Sequence, residues 1–272
     1  MNDIMNDTLQ NLTPASPQSA PAQSAPAHSA SALLSGAALA GGALLFANAK
    51  SARAVSPALT FSDAIFGTGD TKVLNYALAL EALETDLYVQ ALQRLTTGGT
   101  NALGKTIVGL NLGESNPAVK YLRDFGKIEA AHKAFFEGAL GAKAITKGTG
   151  ALASAKFDFG FDDTSKATLA FVVEQVRSAE ATGVGAYIGA IPFFVTTTFL
   201  GTAAAIQGTE ARHTAAITVI INQLGINASS FPSPLDVAPK ATPGNRTLAG
   251  SGIDVEIKPD TVLAAVSPFI VL

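Results

Sequence analysis

The sequence predicts an all-α fold: a four-helix bundle with a long crossover, a low-complexity leader before it and an irregular tail after it. Three observations lead there. Four segments of twenty-odd residues carry apolar side chains at three- to four-residue spacing. The chain is 48% hydrophobic and only 14% charged, enough apolar surface for a sizeable core. And the pattern Glu-x-x-His occurs twice, in the second and in the fourth of these segments.

The leader covers residues 1–55. Residues 8–49 contain no Lys, Arg, Asp or Glu, and "TPASPQSAPAQSAPAHSASA" has the composition of a disordered chain. The apolar run "ALLSGAALAGGALLFA" (32–47) is followed by "NAKSARA". This order resembles a secretory core and its Ala-x-Ala cleavage site, ending near Ala54. Export to the periplasm or cell envelope is therefore expected. The charges run the other way: Asp3 and Asp7 precede the run, and Lys50 and Arg53 follow it. They favour the alternative, an uncleaved tail on a cytoplasmic protein. The run is too short and too rich in Ala and Gly for a membrane anchor.

The bundle is expected over residues 60–225. "GDTKVLNYALALEALETDLYVQALQRL" begins with Asp70 or Thr71 as cap. "SNPAVKYLRDFGKIEAAHKAFFEGALG" begins with Asn116 as cap and Pro117 at the first helical position. "DDTSKATLAFVVEQVRSAEATGVGAYIGAI" is expected to be helical from about Thr164 and to stop at Pro192. "TTFLGTAAAIQGTEARHTAAITVIINQLG" stops at Gly225. The connection 141–163 is long and contains "FDFGF"; it suits a crossover between opposite corners of the bundle, with room for a short strand. Residues 226–272 are rich in Pro and Gly, "IDVEI" alternates like a strand, and the last residues are apolar. They are read as a tail that docks on the bundle.

Composition excludes several function classes. There is no cysteine, hence no disulfide, iron–sulfur cluster, Cys-ligated zinc or thiol catalysis. A net charge of −3 without clustered Lys or Arg argues against nucleic acid as a partner.

The chemistry sits in "IEAAHKAFF" and "QGTEARHTAAI". The chain has three histidines, and two of them, His132 and His213, follow a glutamate by three residues, Glu129 and Glu210. With nine glutamates in 272 positions, each match is about a 3% event, so the duplication is a signal. The i, i+3 spacing puts both side chains on one helix face. That face also carries Phe125, Ile128 and Phe136 in one helix and Ile206, Ile217 and Ile220 in the other, so the pairs are expected to point inward. Bare buried carboxylates would cost several kcal/mol each. Two divalent metal ions would compensate them, as in carboxylate-bridged di-metal bundles, where each of the other two helices adds one glutamate. Glu81 and Glu180 are chosen over Glu84 and Glu174, because each has a tyrosine seven residues on, Tyr88 and Tyr187, on the same face. Those hydroxyls could bond a ligand carboxylate. Glu84 is left as an added ligand or a partner. Four glutamates and two divalent ions balance in charge, and an oxygen-rich, sulfur-free set suits iron or manganese.

These residues carry a resemblance. "LNYALALEALETDLY", "IEAAHKAFF", "GVGAYIGAIP" and "AAAIQGTEARHTAAI" resemble the ferritin-like superfamily, and most closely its bacterial desiccation-related branch; "DTVLAAVSPF" near the C-terminus also looks familial. The resemblance implies a ferritin-like four-helix bundle with ligands Glu81, Glu129, His132, Glu180, Glu210 and His213. An oxidoreductase acting on O2, peroxide or Fe(II) is expected, with a non-catalytic exported stress protein as the alternative. A homodimer and association with the cell envelope are left open. A reductive peroxidase would need an external electron donor.

Overall fold

The computed structural model describes residues 59–226, 254 and 256–272. The leader, and with it the secretory reading, lies outside the described residues, as does most of "IDVEI". After a short helix α1 (Asp63–Phe66), four long helices follow: α2 (Asp70–Leu95), α3 (Pro117–Leu140), α4 (Leu169–Ala190) and α5 (Thr197–Gln223). α2 packs against α3 and α4, and α5 packs against α4 and α3. The long connection therefore joins diagonal helices, α3 and α4, as the crossover reading requires. No helix among the described residues is long and apolar enough to cross a membrane.

Two helix starts differ from expectation. The cap of α2 is Gly69, at φ 57, and no side chain caps it. Asp70 faces the other way: its carboxylate accepts from the Val195 and Thr196 backbone and from the Thr196 hydroxyl, fastening the turn before α5. α4 starts at Leu169, not near Thr164. Asp163 uses its carboxylate on Ser165 in a local turn, and the cap is Thr168, whose hydroxyl accepts from Phe171 N. Asn116 caps α3 as expected, with Pro117 next.

The connections hold structure that periodicity did not show. β1 (Gly98–Thr100) and β2 (Thr106–Val108) form a hairpin between α2 and α3. Gly98 sits at φ 87, and a Cβ there would meet Ile107 O at 2.5 Å, so only glycine fits. In the crossover, β3 (Lys156–Phe157) pairs antiparallel with β4 (Ile270–Val271) from the tail. The tail docks, and its docking element is a helix, α6 (Pro259–Val266), ahead of that strand. Ile257 N donates to Gly185 O, and a Cβ at Gly189 would come within 2.0 Å of Ile257 O, so α4 accepts the tail backbone directly on its glycines.

Asn75 ties α1, α2 and the crossover together. Its amide donates to Phe66 O and Lys143 O, and its carbonyl accepts from Ile145 N at 2.8 Å, all but sealed from solvent. Asn75→Ala would leave two buried partners, Phe66 O and Ile145 N, and the part-buried Lys143 O unmatched. The expected loss is about 3 kcal/mol or more in a urea melt; a change within experimental error would remove Asn75 from this role.

Candidate metal centre

The long helices bring their acidic residues to one place on the bundle axis. Glu81, Glu129, Glu180 and Glu210 have no solvent exposure, and Glu84 has 4%. His213 is buried and His132 is mostly so. His132 Nδ1 lies 2.9 Å from Glu129 Oε2, 3.4 Å from Glu81 Oε2 and 3.6 Å from Glu210 Oε1. His213 Nδ1 lies 2.7 Å from Glu129 Oε1 and 3.3 Å from Glu180 Oε2. Two groups result, each with ligand atoms within 4.8 Å of one another: Glu81, Glu129, His132 and Glu210; and Glu129, Glu180 and His213. Glu129 belongs to both. All six residues expected from sequence are thus brought together, while Glu174 is exposed on the far side of α4.

The two tyrosines reach the cluster crosswise. The Tyr88 hydroxyl donates to Glu180 Oε1, and the Tyr187 hydroxyl donates to Glu81 Oε1. Seven residues of helix span roughly 10 Å, too far for a tyrosine to reach the glutamate of its own helix. Because α2 and α4 run antiparallel at this level, each tyrosine meets the other helix's glutamate instead. Gly126 of α3 makes room for this: a Cβ there would stand 2.9 Å from Tyr88 Cβ. The Phe125 ring stacks on His213, centroids 4.1 Å apart. One expected inward residue is not inward: Ile128 is 37% exposed, because it lies one residue before Glu129 and so turns past the edge of the buried stripe.

Polar atoms in the cluster are left over. Glu81 Oε2, Glu129 Oε1, Glu180 Oε2, both Glu210 carboxylate oxygens and His213 Nδ1 are buried with no aligned hydrogen-bond partner among the described residues. Orphaned buried carboxylate oxygens are rare, because each loses its water without replacement. Atoms that crowd together without aligning as hydrogen bonds converge on a common point, as ligands of a cation do. The residues present therefore fit a metal ion.

Electrostatics without a metal shows the same strain. Burial raises the Glu81 carboxyl to about 7, against hydrogen bonding from His132. Burial and the neighbouring negative charges push Glu84 and Glu210 well above the carboxylate range, and Glu180 is raised by burial as well. Burial opposes charge on both imidazoles, yet the facing glutamates win and hold His132 at about 10 and His213 at about 9. Glu129 is the exception: burial raises it, but contact with both imidazoles carries it below the usual value.

A bundle built around carboxylates and imidazoles is the architecture of the ferritin-like proteins. The sequence profile of the family described as ferritin-like domain matches residues 69–223. The chain belongs to that family. No curated protein and no solved structure matches it. Sequence reasoning did not assign Phe125, Gly126 or Gly183 to the site. Phe125 reads in sequence only as an apolar face residue. Gly183 packs against the cluster: a Cβ would lie 2.9 Å from Glu210 Oε2.

Two outcomes are expected. In metal-free protein, Glu81, Glu84, Glu180, Glu210 and both histidines hold protons more tightly folded than unfolded. Their contribution is complete below the unfolded values and is lost as pH rises through the folded ones; within the cluster Glu129 opposes this, as Asp70 and Asp163 do outside it. The melting temperature of chelated protein should fall from about pH 5 to about pH 9, and metal loading should abolish the fall. A flat profile after chelation would contradict the reading. Separately, Gly183→Ala should weaken metal binding by about tenfold, read by competition with a coloured chelator.

Proposed function

We propose that the centre holds two divalent ions, iron or manganese, and that the protein is an oxidoreductase acting on O2, peroxide or Fe(II). The carrying observation is the set of orphaned oxygens around Glu129, which stands in both ligand groups and suits a bridge between two ions. The donors are oxygen-rich, with one imidazole in each group and no sulfur, which fits iron or manganese better than zinc. A redox-active pair, when bound, supplies the electrons that reduction of O2 or peroxide needs.

The chain's own residues set the conditions. Glu81, Glu129, His132 and Glu210 would hold one ion, and Glu129, Glu180 and His213 the other. Tyr88 and Tyr187 orient Glu180 and Glu81 and keep one oxygen of each engaged, so that the other turns inward. Phe125 covers the His213 ring and excludes water from that side. A role in stress protection, of the kind the desiccation-related resemblance implies, and export belong to the same proposal; they rest on sequence alone.

The orphaned charges also favour a second reading, in which the metals only stabilise an exported bundle. Elemental analysis and turnover decide. Protein loaded with Fe(II) or Mn(II) should carry about two ions per chain and should consume oxygen or peroxide. Glu129→Ala/Glu210→Ala should lose most of the metal. Equal metal in both proteins removes the centre. Full metal with no turnover, and a lower melting temperature after chelation, hands the case to the structural reading.

A further inference from the structure

The cluster nearly repeats itself, and the repeat fails at one position. α2 and α4 each carry Glu-x6-Tyr, from Glu81 to Tyr88 and from Glu180 to Tyr187. α3 and α5 each carry Glu-x-x-His. Three residues after its first glutamate, however, α2 has Glu84, where α4 has Gly183. The two face each other: a Cβ on Gly183 would lie 3.4 Å from Glu84 Oε1. One side of the centre therefore carries an extra carboxylate opposite a missing side chain.

Glu84 is 4% exposed. It forms one wall of a small cavity, about 20 Å³, between α2 and α4. Leu83 and Leu87 line it from α2 and Ala179 from α4, while Phe159, Val266 and Phe269 of the crossover and tail roof it. Half-buried Gln175 stands on the same face of α4, two turns from Gly183, and marks the outer end. The Thr182 hydroxyl at the wall is already spent on Ser178 O, at 2.8 Å. Such a space holds one water-sized molecule, and apart from Glu84 and Gln175 at its ends its walls are mostly apolar. Apolar cavities take up xenon and other small apolar species.

We propose that this cavity is a binding pocket for dioxygen, held on the Glu84 side of the centre, and that the oxidant approaches from there. The assignment of oxygen as occupant rests on the oxidoreductase reading; the pocket itself does not. It gives the docked tail a function, since Val266 of α6 and Phe269 just after it complete the roof. It also gives a reason for glycine at 183: any side chain would close the inner end between Glu84 and Glu210.

Xenon binding to the full, metal-free chain tests the pocket, by xenon-pressurised crystals or xenon NMR. Wild type should hold xenon beside Leu83 and Ala179. Ala179→Leu should exclude it, and Val266→Ala, which thins the roof, should keep or strengthen it. In Fe(II)-loaded protein supplied with excess Fe(II) as the electron donor, Ala179→Leu should raise KM for oxygen several-fold with kcat little changed. Xenon absent from both wild type and Val266→Ala, or an Ala179→Leu protein with normal metal content and unchanged oxygen dependence, overturns the proposal. Wild type that binds xenon but consumes no oxygen overturns the oxidoreductase reading and the oxygen assignment together. Oxygen consumption without xenon in the cavity overturns only the pocket.

Discussion

Five carboxylates share one dry place on the axis of this bundle, and the rest of the structure answers to that concentration of charge. Removing one ionised carboxylate from water costs several kcal/mol, and like charges nearby add to it. The described residues return only part of this. Two tyrosine hydroxyls and the His132 imidazole engage some of the oxygens, and five carboxylate oxygens are left with nothing aligned to them. The apolar shell of leucines, valines and isoleucines around the cluster sharpens the demand by keeping water out. A cation answers it, so affinity for metal is here the other face of a destabilised empty state.

The helices could be read from sequence because their signals are local and repeated. Glu-x-x-His at 129–132 and 210–213 needs only the geometry of one helix turn, and Asn116-Pro117 is a cap written in two residues. Glu180 stands out from Glu174 in sequence by Tyr187 seven residues on, and Glu174 is exposed. What local patterns could not carry was pairing between elements. The partner of each tyrosine depends on α2 and α4 being antiparallel. The hairpin at 98–108 has strands of three residues, too short for alternation to register. α6 is eight residues long and buries Val262, Leu263 and Val266 beside α4, a contact that its short pattern does not announce. The late start of α4 was hidden because Asp163 can serve a turn as readily as a cap, and nothing nearby in sequence says which.

Glycines separate the parts of the site that composition alone would treat as filler. Gly126 admits Tyr88, Gly183 admits Glu210, and Gly189 admits the backbone at Ile257. Each marks a place where helix or tail comes closer to a functional group than a methyl would allow. α4, with three glycines in its second half, is thereby thin on two sides at once: toward the carboxylates and toward the tail.

The crossed tyrosines have one more consequence. Two bonds joining neighbouring helices at points about two turns apart form a parallelogram with rigid sides. Sliding one helix along the other by a single turn would unhook both corners together and free two acids at the same moment. Relative shear of α2 and α4 would have to break both bonds at once, so the pair holds the spacing between the halves of the centre.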